Sequence, residues 1–272
     1  MEYRQVQVIG AKSASGFGDA LRGLAVDATG LIYAAGNSEI KVFDSNGAPK
    51  HRWATARPAL SVALAEDGTV YVGEVGQIEI FDRAGKLIRT WRDERLLGLV
   101  TQIGFLPDSI LVGDASDRAI RHFNRKGEFR NNIGKNNPVN GLLIPNGVVA
   151  FSVDAHGILH VANPGKHRVE RYNALGELLG HIGRFDGVDP AGFGGCCNPT
   201  NVTVSDAIYT TEKAGPRVKV YDWTGKLLAV IASGSVFDAN CKNMSIATGP
   251  HGRVYVADTV KCSILVFAPV AA

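Results

Sequence analysis

Apolar and polar positions alternate along most of this chain with a period of two, and no segment carries an apolar face at helical spacing. Pairs such as Val70 and Val72, or Ile78 and Ile80, place alternate side chains on one face of short runs bounded by turns. An aromatic residue closes such a run at Phe43, Phe81, Phe123, Tyr172, Tyr221 and Phe267, with successive separations of 38, 42, 49, 49 and 46 residues. Four residues after each of the first five stands a glycine: Gly47, Gly85, Gly127, Gly176 and Gly225. The context is Phe-Asp-x-x-Gly or close to it, a turn in which glycine supplies a positive φ. A second turn lies upstream at Thr29-Gly30, Asp67-Gly68, His156-Gly157 and His251-Gly252, with Pro107-Asp108 and Ser205-Asp206 in the third and fifth units.

Each unit therefore reads strand, turn, strand, loop, strand, turn, strand. In the second unit the strands are expected at residues 60–65, 70–73, 78–82 and 87–91. Six units of about four strands, repeating every ~40–50 residues, predict an all-β fold: a six-bladed β-propeller spanning residues 1–272 as one domain. The sixth unit has three strands, and residues 3–9 find no partner in unit one. That run is expected to be the outer strand of blade six, so that the two ends of the chain lock the ring.

Composition narrows the function classes. Hydrophobic content of 45% with 20% charged residues suits a large buried core. A net charge of +3 is too small to imply nucleic acid or an anionic membrane, and no apolar run is long enough to span a bilayer as a helix. The chain begins directly in a strand-like pattern. A periplasmic or extracellular location is expected if a leader has been removed, and a cytoplasmic one otherwise. The reading is of a monomer whose open face meets a protein or a small molecule.

Several stretches resemble NHL repeats: Phe17 with Leu24-Ala25-Val26-Asp27, Gly30-Leu31-Ile32-Tyr33 and Ile40-Lys41-Val42-Phe43-Asp44 in unit one; residues 153–163 in unit four; and Gly252-Arg253-Val254-Tyr255-Val256-Ala257-Asp258 in unit six. The resemblance covers the whole chain and implies the propeller. It leaves function open, because NHL propellers include lyases, RNA binders and protein-binding modules. Cys196-Cys197-Asn198-Pro199-Thr200-Asn201, followed by Glu212-Lys213 and Arg217-Val218-Lys219-Val220-Tyr221, looks like a bacterial subgroup of these propellers. NHL-type peptide-amidating lyases use histidine metal ligands at the channel, where this chain places cysteines.

The chemistry concentrates there. All four cysteines, Cys196, Cys197, Cys241 and Cys262, fall in the last third of the chain. Cys196 and Cys197 enter blade five, Cys241 enters blade six in nearly the same register, and Cys262 lies between the second and third strands of blade six. All are expected on one face, at the channel mouth. Thiolates at this spacing suit zinc, copper(I) or an iron–sulfur centre, with His167 as an alternative fourth ligand. After the metal site, the next reading is a vicinal disulfide acting as a redox switch or a structural staple between the blades, and the last is unlinked thiols. Glu212, Lys213, Arg217, Asn198 and Asp258 are expected around this site, and Lys213 with Arg217 to favour thiolate.

Two weaker features remain. The ends of the second strands carry Gly36, Glu74, Asp114, Asn163, Glu212 and Asp258, which either bind a hard cation, as in a lactonase-like hydrolase, or cap loop N–H groups. The basic segment 118–135 reads as a solvated outer edge of blade three, with Phe123 and Phe129 facing inward. No Ser-His-Asp order, phosphate-binding glycine loop or His-Glu-x-x-His pattern is present.

Overall fold

The computed structural model describes residues 1–10, 16–18, 20–135, 141–213 and 215–270; Ala214 of the blade-five motif lies outside them. The repeat folds as its pattern requires. Blade one comprises β2 (Gly23–Val26), β3 (Ile32–Gly36), β4 (Glu39–Phe43) and β5 (Pro49–Ala54). Blade two comprises β6 (Ser61–Leu64), β7 (Val70–Gly73), β8 (Gln77–Phe81) and β9 (Leu87–Arg92). Blade three follows with β10 (Val100–Leu106), β11 (Ser109–Asp114), β12 (Ala119–Asn124) and β13 (Phe129–Ile133). Blade four has β14 (Phe151–Val153), β15 (Leu159–Asn163), β16 (Arg168–Tyr172) and β17 (Leu178–Ile182). Blade five has β18 (Asn201–Val204), β19 (Ile208–Glu212), β20 (Arg217–Tyr221) and β21 (Leu227–Ser233). Blade six has β22 (Ile246–Thr248), β23 (Val254–Asp258) and β24 (Ser263–Pro269), and its fourth strand is β1 (Tyr3–Ile9). Each blade is a four-stranded antiparallel meander, and the fold class is the six-bladed β-propeller.

The chain forms two compact units, one of Met1–Val100 with Met244–Ala272 and one of Thr101–Asn243. In each, the core lies between successive blades. Ile9, Leu21, Ile32, Phe43, Tyr255 and Ile264 pack where blade six meets blade one. Ile40, Val42, Val62, Val70 and Phe81 do so between blades one and two. In the other unit, Ile120, Ile133, Phe151, Leu159 and Tyr172 join blades three and four, and Val169, Ile182, Phe193, Ile208 and Tyr221 join blades four and five. The six repeat aromatics are each at most 3% exposed, which is why the aromatic is the most regular feature of the repeat. Each such burial contributes about 1.5–3 kcal/mol.

The turn after each aromatic is built by one side chain. Asp44, Asp82, Asn124, Asn173 and Asp222 each accept, through Oδ1, the N–H groups two and four residues later. The glycine between those N–H groups has φ between 77° and 92° in all five turns, a conformation that would strain any residue with a Cβ.

The basic segment of blade three is partly paired with acids. Arg121 is buried against Asp114 and Asp117, Arg130 pairs with Asp108, and Lys135 lies 3.4 Å from Asp117. Phe123 faces inward as expected, but Phe129 does not. It sits on the outermost strand, 41% exposed, edge-on to Phe123 at 5.8 Å, because the fourth strand of a blade has only one neighbour to pack against.

Within blade six, β1 is antiparallel to β24, with Ile9 opposite Ile264 and Tyr3 opposite Pro269. Ile9 is buried, whereas Val8 is nearly half exposed. Ile9→Ala is therefore expected to cost ~2–4 kcal/mol and Val8→Ala less than about 1 kcal/mol, read as shifts of the urea midpoint at constant slope.

Candidate functional site

The connection from β17 to β18 is long, and its own side chains organise it. Asp186 accepts the N–H groups of Val188 and Asp189, Asp189 accepts that of Ala191, and Arg184 pairs with both carboxylates. The N–H of Phe193 bonds back to the Arg184 carbonyl at 2.8 Å. Gly192 and Gly194 permit this fold-back: a Cβ on Gly192 would lie 2.3 Å from the Asp186 Cβ, and one on Gly194 2.8 Å from the Asp186 carbonyl oxygen.

The chain then turns outward through Gly195 and Cys196, both exposed, and returns through Cys197, which is half-buried with φ +67°. The Cys196 and Cys197 Sγ atoms are 2.8 Å apart. Asn198, at the foot of this excursion, is buried. Its Nδ2 donates to the carbonyls of Gly194 (2.8 Å) and Lys213 (3.0 Å), and its Oδ1 accepts the Lys213 N–H (2.8 Å). One side chain thus ties both ends of the Cys-Cys excursion to the turn after β19.

The neighbouring charges act differently from expectation. Glu212, fully buried at the end of β19, pairs with Arg217 at 2.7 Å and with Lys219 at 2.5 Å. Arg217 is committed to that carboxylate. Burial, reinforced by the adjacent Cys196, pushes the Cys197 thiol above its ordinary range, and Lys213 opposes this only in part. The expected thiolate is therefore not favoured at Cys197, because burial and a neighbouring sulfur outweigh one partly exposed ammonium.

The remaining predicted residues are placed as follows. Cys241 is buried, with its N–H bonded to the Asp238 carbonyl at 3.1 Å. Cys262 is also buried, with φ +48° and its Sγ 3.7 Å from the Thr259 carbonyl oxygen. His167 has φ +54°, directs Nδ1 to the Phe193 carbonyl at 3.1 Å, and stacks edge-on against Phe185 at 4.8 Å. Asp258 accepts the N–H groups of Val260 and Lys261. Among the described residues, no three His, Cys, Asp or Glu side chains gather into a group able to hold a metal ion. Cys196 and Cys197 stand sulfur to sulfur.

The strand-two ends do cap backbone. Asp114 accepts the Ser116 N–H, Asn163 the Leu143 N–H and Glu74 the Arg57 N–H. A second set of buried charges stands two residues before the aromatic on the third strand: Lys41, Glu79, Arg121, Glu170 and Lys219. Its signal was in the sequence, as a charged residue interrupting apolar alternation at one register. Blades three and five pair the two sets with opposite sign, Asp114 with Arg121 and Glu212 with Lys219. In blade two both are glutamates. Burial, with Glu79 nearby, raises the Glu74 carboxyl to about 7 despite the Gln77 amide that bonds it.

Two outcomes follow from this geometry. Glu74 has a folded-state pKa above its unfolded value, so its contribution is intact in acid and lost as pH rises from ~4.5 through about 7. Thermal stability of the wild type should fall across that window by an amount on the order of 2–3 kcal/mol, and Glu74→Gln should flatten the fall. Asn198→Ala removes three hydrogen bonds from a buried site and should cost ~2–4 kcal/mol while making Cys197 alkylate faster, as mass-mapped labelling would show.

No protein-family model matches the chain, and no curated protein matches it. Solved structures do. Virginiamycin B lyase from Staphylococcus aureus is 12% identical and aligns over 99% of this chain and 100% of that one, with a TM-score of 0.64. A streptogramin B lyase is 11% identical over 97% and 96%, also at 0.64. A chain of the mitotic checkpoint complex is 14% identical over 98% and 92%, at 0.67. Proteins of such different description share this architecture, so the likeness is one of fold: the chain has the six-bladed β-propeller fold seen in the streptogramin B lyases.

Proposed function

We propose that this chain is a propeller scaffold for two-electron thiol chemistry at Cys196 and Cys197, with a disulfide-bearing protein or small molecule as its partner. One observation carries the reading: two adjacent thiols face each other 2.8 Å apart on a loop that Asn198 fixes, and one of them is exposed. The Cys196 thiolate attacks one sulfur of the partner disulfide, and the other sulfur leaves as thiolate. The Cys197 thiolate then attacks Cys196 Sγ and expels the second half. The protein loses two electrons and two thiol protons, and the partner takes up both to become two thiols. Neighbouring residues sit ~3.8 Å apart at Cα, shorter than the ~4.4–6.8 Å that an unstrained disulfide spans, so the closed pair is strained and readily reduced again.

A zinc, copper(I) or iron–sulfur occupant is the competing chemistry for the same sulfurs. Structural zinc takes about four donors, whereas dithiol exchange needs only the two that this loop presents. Among the described residues, the channel-face lyase or hydrolase reading rests on no comparable constellation.

The test is intact-mass analysis of anaerobically purified, reduced protein treated with a small aromatic disulfide. Wild type should lose two titratable thiols and about 2 Da, while Cys197→Ser should stop at a mixed disulfide on Cys196. Stoichiometric metal in the purified protein, lost on Cys241→Ser, would instead assign the sulfurs to a metal centre. Turnover of a hydrolysable substrate that survives loss of both Cys196 and Cys197 would move the function elsewhere.

A further inference from the structure

Lys219 is the most deeply buried cation of the blade-five unit, and no step of the thiol chemistry uses its charge. It is fully buried on β20. Its Nζ donates to the carbonyls of Pro190 at 2.9 Å and Gly192 at 2.7 Å, lies 2.5 Å from Glu212, and sits over the Phe193 ring at 4.5 Å. Tyr221, two residues on, donates its hydroxyl to the Ala191 carbonyl at 3.1 Å. Burial pushes the ammonium down from its ordinary range, while Glu212 pulls the other way. Three successive carbonyls of the loop are therefore fixed from beneath, immediately before the chain turns out to Cys196. Asn198 fixes it immediately after. The Cys-Cys segment is the free arc between these two anchors.

Blade one offers a comparison within the same chain. There Lys41, at the same register, bonds the Gly16 carbonyl, pairs with Glu39 and lies over the Phe17 ring at 5.7 Å. The anchoring device is the same. The stretch from Phe17 to β2 is two residues shorter than that from Phe193 to β18, and it carries no cysteine.

Resting on the thiol reading above, we propose that Lys219 is a positioning residue for closure of the Cys196–Cys197 pair. It holds the loop backbone so that Cys197 Sγ meets Cys196 Sγ once Cys196 carries the partner's half. The first attack needs only the exposed Cys196. The second, intramolecular attack needs the two sulfurs held in line, and its rate depends on that placement. Loss of the anchor should therefore slow closure and leave the first step unchanged.

The experiment compares wild type, Lys219→Met and Lys41→Met, each reduced and then treated with the same aromatic disulfide. Mass spectrometry follows the mixed disulfide and the closed pair with time. In Lys219→Met, closure should slow by at least about tenfold, with the mixed disulfide accumulating and Cys196 labelled at the wild-type rate. Lys41→Met should close like wild type, although it removes an equivalent anchor. If Lys219→Met, by leaving Glu212 with Arg217 alone, fails to fold, the double variant Glu212→Gln with Lys219→Met removes both fully buried charges and carries the same comparison. Equal closure rates in all folded variants overturn the positioning role. So does an equal slowing in Lys41→Met, which would report general loosening. Absence of closure in wild type overturns the thiol reading itself, a result distinct from either.

Discussion

Short strands leave many backbone groups at their ends, and buried groups of that kind must be hydrogen-bonded. This constraint shapes the molecule more than any single contact in its core. Side chains at the ends of several second strands are spent on it, through Asp114 on the Ser116 N–H, Asn163 on the Leu143 N–H, and Asp258 on the N–H groups of Val260 and Lys261. The buried third-strand cations serve it from the other side, Lys219 taking the carbonyls that the loop into blade five would otherwise leave bare. Charges that look catalytic in a linear sequence are consumed in holding loops to blades. Glu212 belongs to that lattice, paired with both Arg217 and Lys219.

Blade two departs from the pattern. Two glutamates occupy the positions where blades three and five have an acid and a base. The backbone bonds are still made, since Ala56 N–H reaches Glu79 and Arg57 N–H reaches Glu74. What is missing is the compensating charge, so Glu74 holds its proton into the neutral range. The same register holds an acid–base pair in one blade and two acids, one of them titrating near neutrality, in another.

What could be read in the sequence was whatever repeats locally. The aromatics, the turn glycines and the alternation placed the strands of blade two almost residue for residue, with β7 at Val70–Gly73 as expected. The partner of β1 followed from counting, because one strand was spare at the start and one lacking at the end. Exposure was not legible. Cys197 and Cys241 share a register, yet one lies on an outward arc and the other is buried, because the arc depends on side-chain anchors distant in sequence. The common register of His167 and Cys262 has a backbone cause. Arg118, His167, Cys262 and Gly76 each stand five residues before the aromatic of their blade and all have positive φ, so the turn itself accounts for the alignment. Phe129 was misjudged for a related reason: its aromatic character said nothing of its place on an outer strand.

The raised thiol of Cys197 bears on direction as well as rate. In exchange chemistry a thiol of higher pKa is the better nucleophile once ionised and the poorer leaving group. Closure asks Cys197 to attack; reopening from solvent asks an incoming thiolate to strike the exposed Cys196 and expel Cys197. Burial therefore assists the sulfur in the first direction and hinders it in the second, against the ring strain of a bond between neighbours, which works the opposite way. In the proposed exchange, burial of Cys197 and the strain of the closed ring therefore pull in opposite directions. The fold sets that balance through the depth at which Asn198 seats the second cysteine and not the first.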